Sequence, residues 1–167
     1  PYTAGQFTKV GLKINGEVLS RPYSFVSAPH EDFLEIIYVV APQGTLTPKL
    51  LKLNIGDKIF VMDKATGFFV MDEVPDGKNL WMMASGTGLG VFISLLKTNI
   101  PWQRFEKVVL VHCVRNKDEL TYQDQIKLLD TKYHNQFTYI KAVTRENVEG
   151  CLNVRIPKAI KDGTFEE

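Results

Sequence analysis

Three features predict an antiparallel β-barrel followed by a parallel α/β unit. Val10, Leu12 and Ile14 alternate up to Asn15-Gly16, and Val18 resumes the apolar side, so residues 7–29 read as strands joined by a tight hairpin turn. An apolar run over 80–84 leads into Ser85-Gly86-Thr87-Gly88-Leu89-Gly90 and then a helical segment. A buried strand over 108–113 and a third strand over 137–143 are separated by a helical pattern, the alternation that builds a parallel sheet. The turn cluster Val74-Pro75-Asp76-Gly77 divides the two, giving a barrel over 1–75 and an α/β domain over 76–167.

Along the first segment, residues 34–40 are nearly continuous in apolar side chains and are expected as a well-buried strand. Pro42-Gln43-Gly44 makes a turn. Thr47-Pro48 offers an N-cap and a first-turn proline for a short helix carrying Leu50, Leu51 and Leu53. Gly56-Asp57 turns the chain into a strand over 58–62. Short strands, tight turns and one small helix fit a barrel. In the second segment a helix is expected over 91–97 and another over 119–132, with Tyr122, Ile126 and Leu129 on one face. Pro157 opens a final helix.

Apolar residues form 44% of the 167, enough for a sizeable core in one domain or two small ones. Lys and Arg number 20 against 19 for Asp and Glu, so no global field points to nucleic acid or an anionic membrane. No apolar run approaches the roughly 18 residues that span a bilayer, and the first residues do not resemble a signal peptide. A cytoplasmic protein without a membrane span is expected. Cys113 and Cys151 are too few and too far apart for a disulfide framework or an iron–sulfur site. His112 and Cys113 are neighbours on one strand and point to opposite faces, so they make no dyad. With His30 and His134 isolated, no metal site is expected. A start at Pro1 and a stop at Thr164-Phe165-Glu166-Glu167 read as a piece cut from something longer, so both domains are expected to be incomplete.

Arg21-Pro22-Tyr23-Ser24 puts a cation, a ring and a hydroxyl on one extended strand. A flavin dinucleotide needs its pyrophosphate neutralised, its ring covered and a hydrogen bond near N5. Arg21 suits the first, Tyr23 the second and Ser24 the third. The plainer reading is that Arg21 is a surface residue and Tyr23 fills the barrel. Gly44-Thr45-Leu46-Thr47 is a second candidate phosphate contact, or an ordinary turn and cap. The glycine loop lies between a strand and a helix, the setting in which such loops cradle phosphate. An acidic residue after the second strand would grip ribose hydroxyls; here Val114-Arg115 stands there, a cation that favours a 2′-phosphate. Arg145 follows the third strand and Arg155 precedes the last helix.

These motifs occur in the order seen in ferredoxin–NADP reductases: Arg-Pro-Tyr-Ser, Gly-Thr-Leu-Thr, Gly67-Phe68-Phe69-Val70, the glycine loop and Val111-His112-Cys113-Val114-Arg115. The run from Gly67 to Pro75 resembles the bacterial type, also called flavodoxin–NADP reductase, and the likeness covers essentially the whole chain. Two departures are Val91, where the family's loop commonly ends in proline, and Leu152-Asn153-Val154, where a glycine is more usual before the arginine.

The resemblance implies an antiparallel FAD-binding barrel and a Rossmann-like NADP-binding domain. It implies that Arg21, Pro22, Tyr23 and Ser24 hold FAD, with Ser24 the catalytic contact near N5. Ile37, Tyr38 and Val39 would line the flavin wall. Thr45, Leu46 and Thr47 would cradle the pyrophosphate, and Thr87 would lie between flavin and nicotinamide. Gly86, Gly88, Val114, Arg115, Thr144, Arg145 and Arg155 would hold NADP, the last arginines at its 2′-phosphate. The implied activity is electron exchange between NADPH and a separate carrier, ferredoxin or flavodoxin, through FAD, by a monomer. The alternatives are the reductase component of an oxygenase or another flavin reductase and, in a different class, a non-catalytic flavin- or nucleotide-binding module.

Overall fold

A computed structural model describes residues 1–165; positions 166 and 167, the last two of the 76–167 segment, lie outside the described residues. The chain forms two compact units, one of Pro1–Val74 with Gly90–Thr98, the other of Pro75–Leu89 with the residues from Asn99 onward.

In the first unit, β1 (Phe7–Ile14) and β2 (Glu17–Ser24) pair antiparallel in the register Ile14 to Glu17 and Phe7 to Ser24. Asn15 and Gly16 turn between them at φ 52° and 89°, the left-handed geometry of a two-residue hairpin. β3 (Phe60–Val61) pairs with the other side of β1, giving the order β2-β1-β3. The central strand is therefore the buried one: Val10 is 3% exposed, and Thr8 is buried with its hydroxyl donating to the Met62 carbonyl at 2.9 Å.

The strand expected over 34–40 does not form. It is reduced to a single bridge, Phe25 to Ile36, and one bond from the Val26 amide to the Glu35 carbonyl at 2.8 Å. Leu34 and Val39 are 54% and 70% exposed. An apolar run becomes a buried strand only when neighbours cover its faces and pair its edges, which the run itself does not reveal. The strand expected over 58–62 shortens to β3 for the same reason.

Helix α1 spans Thr47–Leu50 and is capped by Leu46, one residue before the expected cap. Thr47 is its first helical residue, and its hydroxyl accepts the Ala41 amide at 2.9 Å instead of capping. Helix α2 (Leu89–Leu96) extends from the glycine loop, and from Gly90 onward it packs within the first unit. A Cβ at Gly90 would meet Ile37 Cγ2 at 2.7 Å and Val26 Cγ2 at 2.8 Å, so only glycine permits this approach. One turn further, the buried Ser94 hydroxyl donates to the Ser27 carbonyl at 2.6 Å. Lys97 then bridges Glu31 at 3.0 Å and Glu35 at 3.8 Å. Burial alone would raise the Glu31 pKa, but the Ala28 amide and Lys97 outweigh it and hold the carboxyl below its ordinary range.

In the second unit β4 (Asn79–Ser85), β5 (Lys107–Val114) and β6 (Phe137–Val143) form a parallel sheet in that order. β5 lies between two strands, and all of it after Lys107 is buried. Helix α3 (Ile100–Arg104), unforeseen from sequence, carries Trp102, whose ring stacks on Tyr133 at 3.8 Å between centroids and 5° between planes. Helix α4 is Gln123–Lys132, later than expected. The chain before it is taken by a 3-10 turn, Lys117–Glu119, closed by a capping box between Asn116 and Glu119. Tyr122 stands at φ 58° as the residue before α4, so it does not share a helical face with Ile126 and Leu129. Helix α5 (Ile156–Lys161) opens with Pro157 in its first turn.

Candidate functional site

Two candidate sites lie on this framework, one in each unit. In the first, Arg21 and the Gly44–Thr47 loop, separated by more than twenty residues, come together: an Arg21 Nη donates to Thr45 Oγ1 at 3.4 Å. The other Nη donates to the Ser20 carbonyl at 2.8 Å, and no carboxylate pairs with the guanidinium among the described residues. It remains an exposed cation with donors to spare. Among the described residues the amides of Thr45, Leu46 and Thr47 donate to no backbone carbonyl. Gly44 is tightly held, since a Cβ there would lie 3.0 Å from the Ala41 carbonyl oxygen. A groove of about 600 Å³ passes this loop, lined by Leu19, Pro42, Gly44, Thr45, Lys49 and Lys52 among others.

Alternation along β2 places Tyr23 two residues from Arg21, on the same side of the strand. Its ring meets Tyr38 edge-on with centroids 6.2 Å apart, so β2 and the 36–39 segment share one half-buried aromatic surface. Burial, and then Tyr38, raise the Tyr23 pKa, with Arg21 pulling against them. Ile37 is half-buried beside Tyr38, Val39 is exposed, and Ser24 ends β2 with an exposed hydroxyl. Pro22 lies between Arg21 and Tyr23, paired opposite Lys9.

In the second unit the glycine loop is a 3-10 turn, Gly86–Gly88, at the C-terminal end of β4. Gly86 takes φ 53°, and a Cβ at Gly86 or Gly88 would find nothing within 4 Å. The loop is therefore open where a ligand would approach, the situation in which glycine lets backbone come close to phosphate. Thr87 is half-buried between them.

Beneath the loop lies His112, fully buried on β5. Its Nε2 lies 3.1 Å from the Gly86 carbonyl, which can only accept, so Nε2 carries the proton. Nδ1 has no partner among the described residues. Burial lowers the His112 pKa against the opposing pull of Gly86 and Glu119, and the ring is neutral. Sequence reasoning used His112 only to exclude a dyad with Cys113. The missed signal was a histidine inside a strand buried on both faces, which must find a polar partner.

The segments leaving β5 and β6 are tied together. The Thr144 amide donates to the Val114 carbonyl at 3.1 Å, and the Arg145 amide donates to the Arg115 carbonyl at 2.9 Å. Leu152 bridges Ala142 in parallel, and the Cys113 thiol lies 3.8 Å from the Val154 carbonyl. Arg115, Arg145 and Arg155 thus stand on three adjoining segments at the C-terminal ends of two parallel strands, where ligands of open α/β sheets bind. All are exposed, and none pairs with a carboxylate among the described residues.

Comparison with known proteins places this geometry in a family. Residues 82–166 match the oxidoreductase NAD-binding domain family. The flavodoxin/ferredoxin–NADP reductase of Shigella flexneri is 43% identical over 166 residues, covering 99% of this chain and 67% of the relative. The chain belongs to the flavodoxin/ferredoxin–NADP reductase family. The Escherichia coli K12 member is 42% identical over the same length. A ferredoxin NADP+ reductase from Neisseria gonorrhoeae, solved with bound FAD and NADP, superposes with a TM-score of 0.92 at 33% identity, covering 99% of this chain and 66% of that one. The chain spans about two thirds of the length of these family members. Among the described residues no helix is long and apolar enough to cross a membrane.

Proposed function

We propose that this chain binds FAD on its first unit and NADP(H) on its second, and serves electron exchange between NADPH and ferredoxin or flavodoxin. The observation that carries this reading is that three exposed arginines, none in an ion pair among the described residues, stand on adjoining segments at the ends of β5 and β6. A 2′-phosphate is a dianion with several acceptor oxygens, and guanidinium forks suit it far better than the carboxylate expected for a bare ribose. Val114 and Thr144 supply the backbone that sets the spacing of Arg115 and Arg145, while Gly86 and Gly88 leave room for the remaining phosphates.

The first unit fits a flavin dinucleotide on its own terms. Arg21 reaches Thr45, and among the described residues the amides of 45–47 donate to no backbone carbonyl, which suits a pyrophosphate. Tyr23, Ile37, Tyr38 and Val39 present an apolar and aromatic wall that solvent would otherwise cover. Bound FAD supplies the exchange between two-electron and one-electron transfers, chemistry that no side chain here can perform. The protein's part would be to hold and orient: Arg21 would hold the charged middle of the dinucleotide, Tyr23 and Tyr38 would limit water at the ring, and Ser24 would offer a hydroxyl to it. Thr87, at the glycine loop, is the residue we assign to the nicotinamide side. The protein acts as a monomer in the cytoplasm on this reading. The test is purification of the protein and a search for a yellow chromophore that NADPH bleaches and ferredoxin or flavodoxin restores. A colourless protein that binds neither FAD nor 2′,5′-ADP would overturn it.

A further inference from the structure

Glu146 puts a carboxylate directly beside Arg145, at the edge of the proposed 2′-phosphate site, where a negative charge should repel the ligand. Its bonding explains its presence. One carboxylate oxygen accepts the amide of Lys117, two residues past Arg115. Its own carbonyl accepts Asn153 Nδ2 at 2.9 Å, two residues before Arg155. Its neighbour Arg145 is bonded through the backbone to Arg115 at 2.9 Å. Glu146 is thus the residue that touches all three arginine-bearing segments. We propose that Glu146 is a positioning residue, which clips these segments together and thereby sets the preference for a 2′-phosphorylated nucleotide without touching it.

Loop entropy and charge make such a clip consequential for binding. Arg115, Arg145 and Arg155 each sit on a connection outside regular structure, and ordering such segments at the moment of binding would cost affinity. The bonds from Glu146 place that ordering in the free protein. The carboxylate is partly neutralised as an acceptor, because one oxygen is occupied by an N–H dipole. The Asn153 side chain supplies the second tie, to the Glu146 carbonyl.

This inference rests on the reading of the arginine cluster as the 2′-phosphate site, and the variants separate the two. The measurement is calorimetric titration of the full chain with 2′,5′-ADP and, in parallel, 5′-AMP, with thermal melts as a control for folding. Glu146→Ala removes the charge and the carboxylate's tie to the Lys117 amide while the backbone tie to Asn153 stays, and is expected to weaken 2′,5′-ADP roughly five- to tenfold, the loss of about one hydrogen bond's ordering, while sparing 5′-AMP. Glu146→Gln keeps an acceptor for the Lys117 amide but removes the charge, so 2′,5′-ADP should bind at least as tightly as to the native protein. Asn153→Ala removes the other tie with the charge intact and should weaken 2′,5′-ADP in the same direction, which keeps the inference testable if Glu146→Ala misfolds. If Ala and Gln at 146 both tighten 2′,5′-ADP, Glu146 acts only as a repelling charge and the inference is wrong. Equal changes for the two nucleotides would also overturn it. If Arg115→Ala with Arg145→Ala leaves 2′,5′-ADP binding unchanged, the site itself is misassigned and the inference falls with it.

Discussion

Arg21 and Ser24 share one strand but are expected to fail differently. An unneutralised pyrophosphate against a low-dielectric wall is costly. Arg21→Ala should therefore lower the flavin-to-protein ratio after dialysis, whereas Ser24→Ala should keep FAD and slow its reduction by NADPH in stopped-flow absorbance. Stoichiometric FAD in the Arg21 variant would refute the assignment. His112 makes a prediction about pH. Its folded pKa lies below the ordinary value of 6.5, so the unfolded chain takes up a proton first as the pH falls. Its contribution is fully present above that value and is lost progressively as the pH drops below it toward the folded pKa. Denaturant unfolding measured at pH 7.5, 6.5 and 5.5 should register the loss, and His112→Gln should flatten this part of the profile. A Gln variant with an unchanged slope would assign the pH dependence to other groups.

For helix α2, propensity and packing give opposite answers at Gly90. Alanine in a helix is favoured over glycine by about 1 kcal/mol. Against this, the added methyl would fall 2.7 Å from Ile37 and 2.8 Å from Val26, and Val26 is fully buried and β-branched, so it has little freedom to move. Overpacking of this kind costs roughly 1–3 kcal/mol. Gly90→Ala is therefore expected to be destabilising, by up to about 2 kcal/mol in urea unfolding, in contrast to an unconstrained helical glycine. A stabilised variant would show that the segment around Ile37 yields easily. Ser94 on α2 and Lys97, the residue just past its end, tie it to Ser27, Glu31 and Glu35 by a hydrogen bond and ion pairs.

For the molecule as a whole, cofactor choice is the sharpest readout. Each charge-assisted contact to the 2′-phosphate contributes roughly 1.5–3 kcal/mol, so Arg115 and Arg145 together should give at least about a hundredfold preference for NADPH over NADH. Steady-state kinetics of Arg115→Ala with Arg145→Ala should raise the NADPH KM far more than the NADH KM. Equal rises would show that these arginines serve the fold and not the ligand.

Much of this architecture was legible in local patterns. The Asn15-Gly16 hairpin, the buried strand β5, the strand β6 and the position of the glycine loop follow from alternation, turn chemistry and apolar patterning, because these interactions lie within a few residues of one another. Arg21 was legible as a cation on a strand, and Arg115 as a cation where an acid is usual. What local pattern could not supply was company. That Arg21 reaches Thr45, that residues 34–40 lack a ladder, and that Glu146 joins three segments are facts about residues far apart in the chain. Side-chain type and spacing encode backbone preference and which face is apolar. They do not encode which distant carbonyl or amide a polar group will find, since that depends on how every intervening element packs.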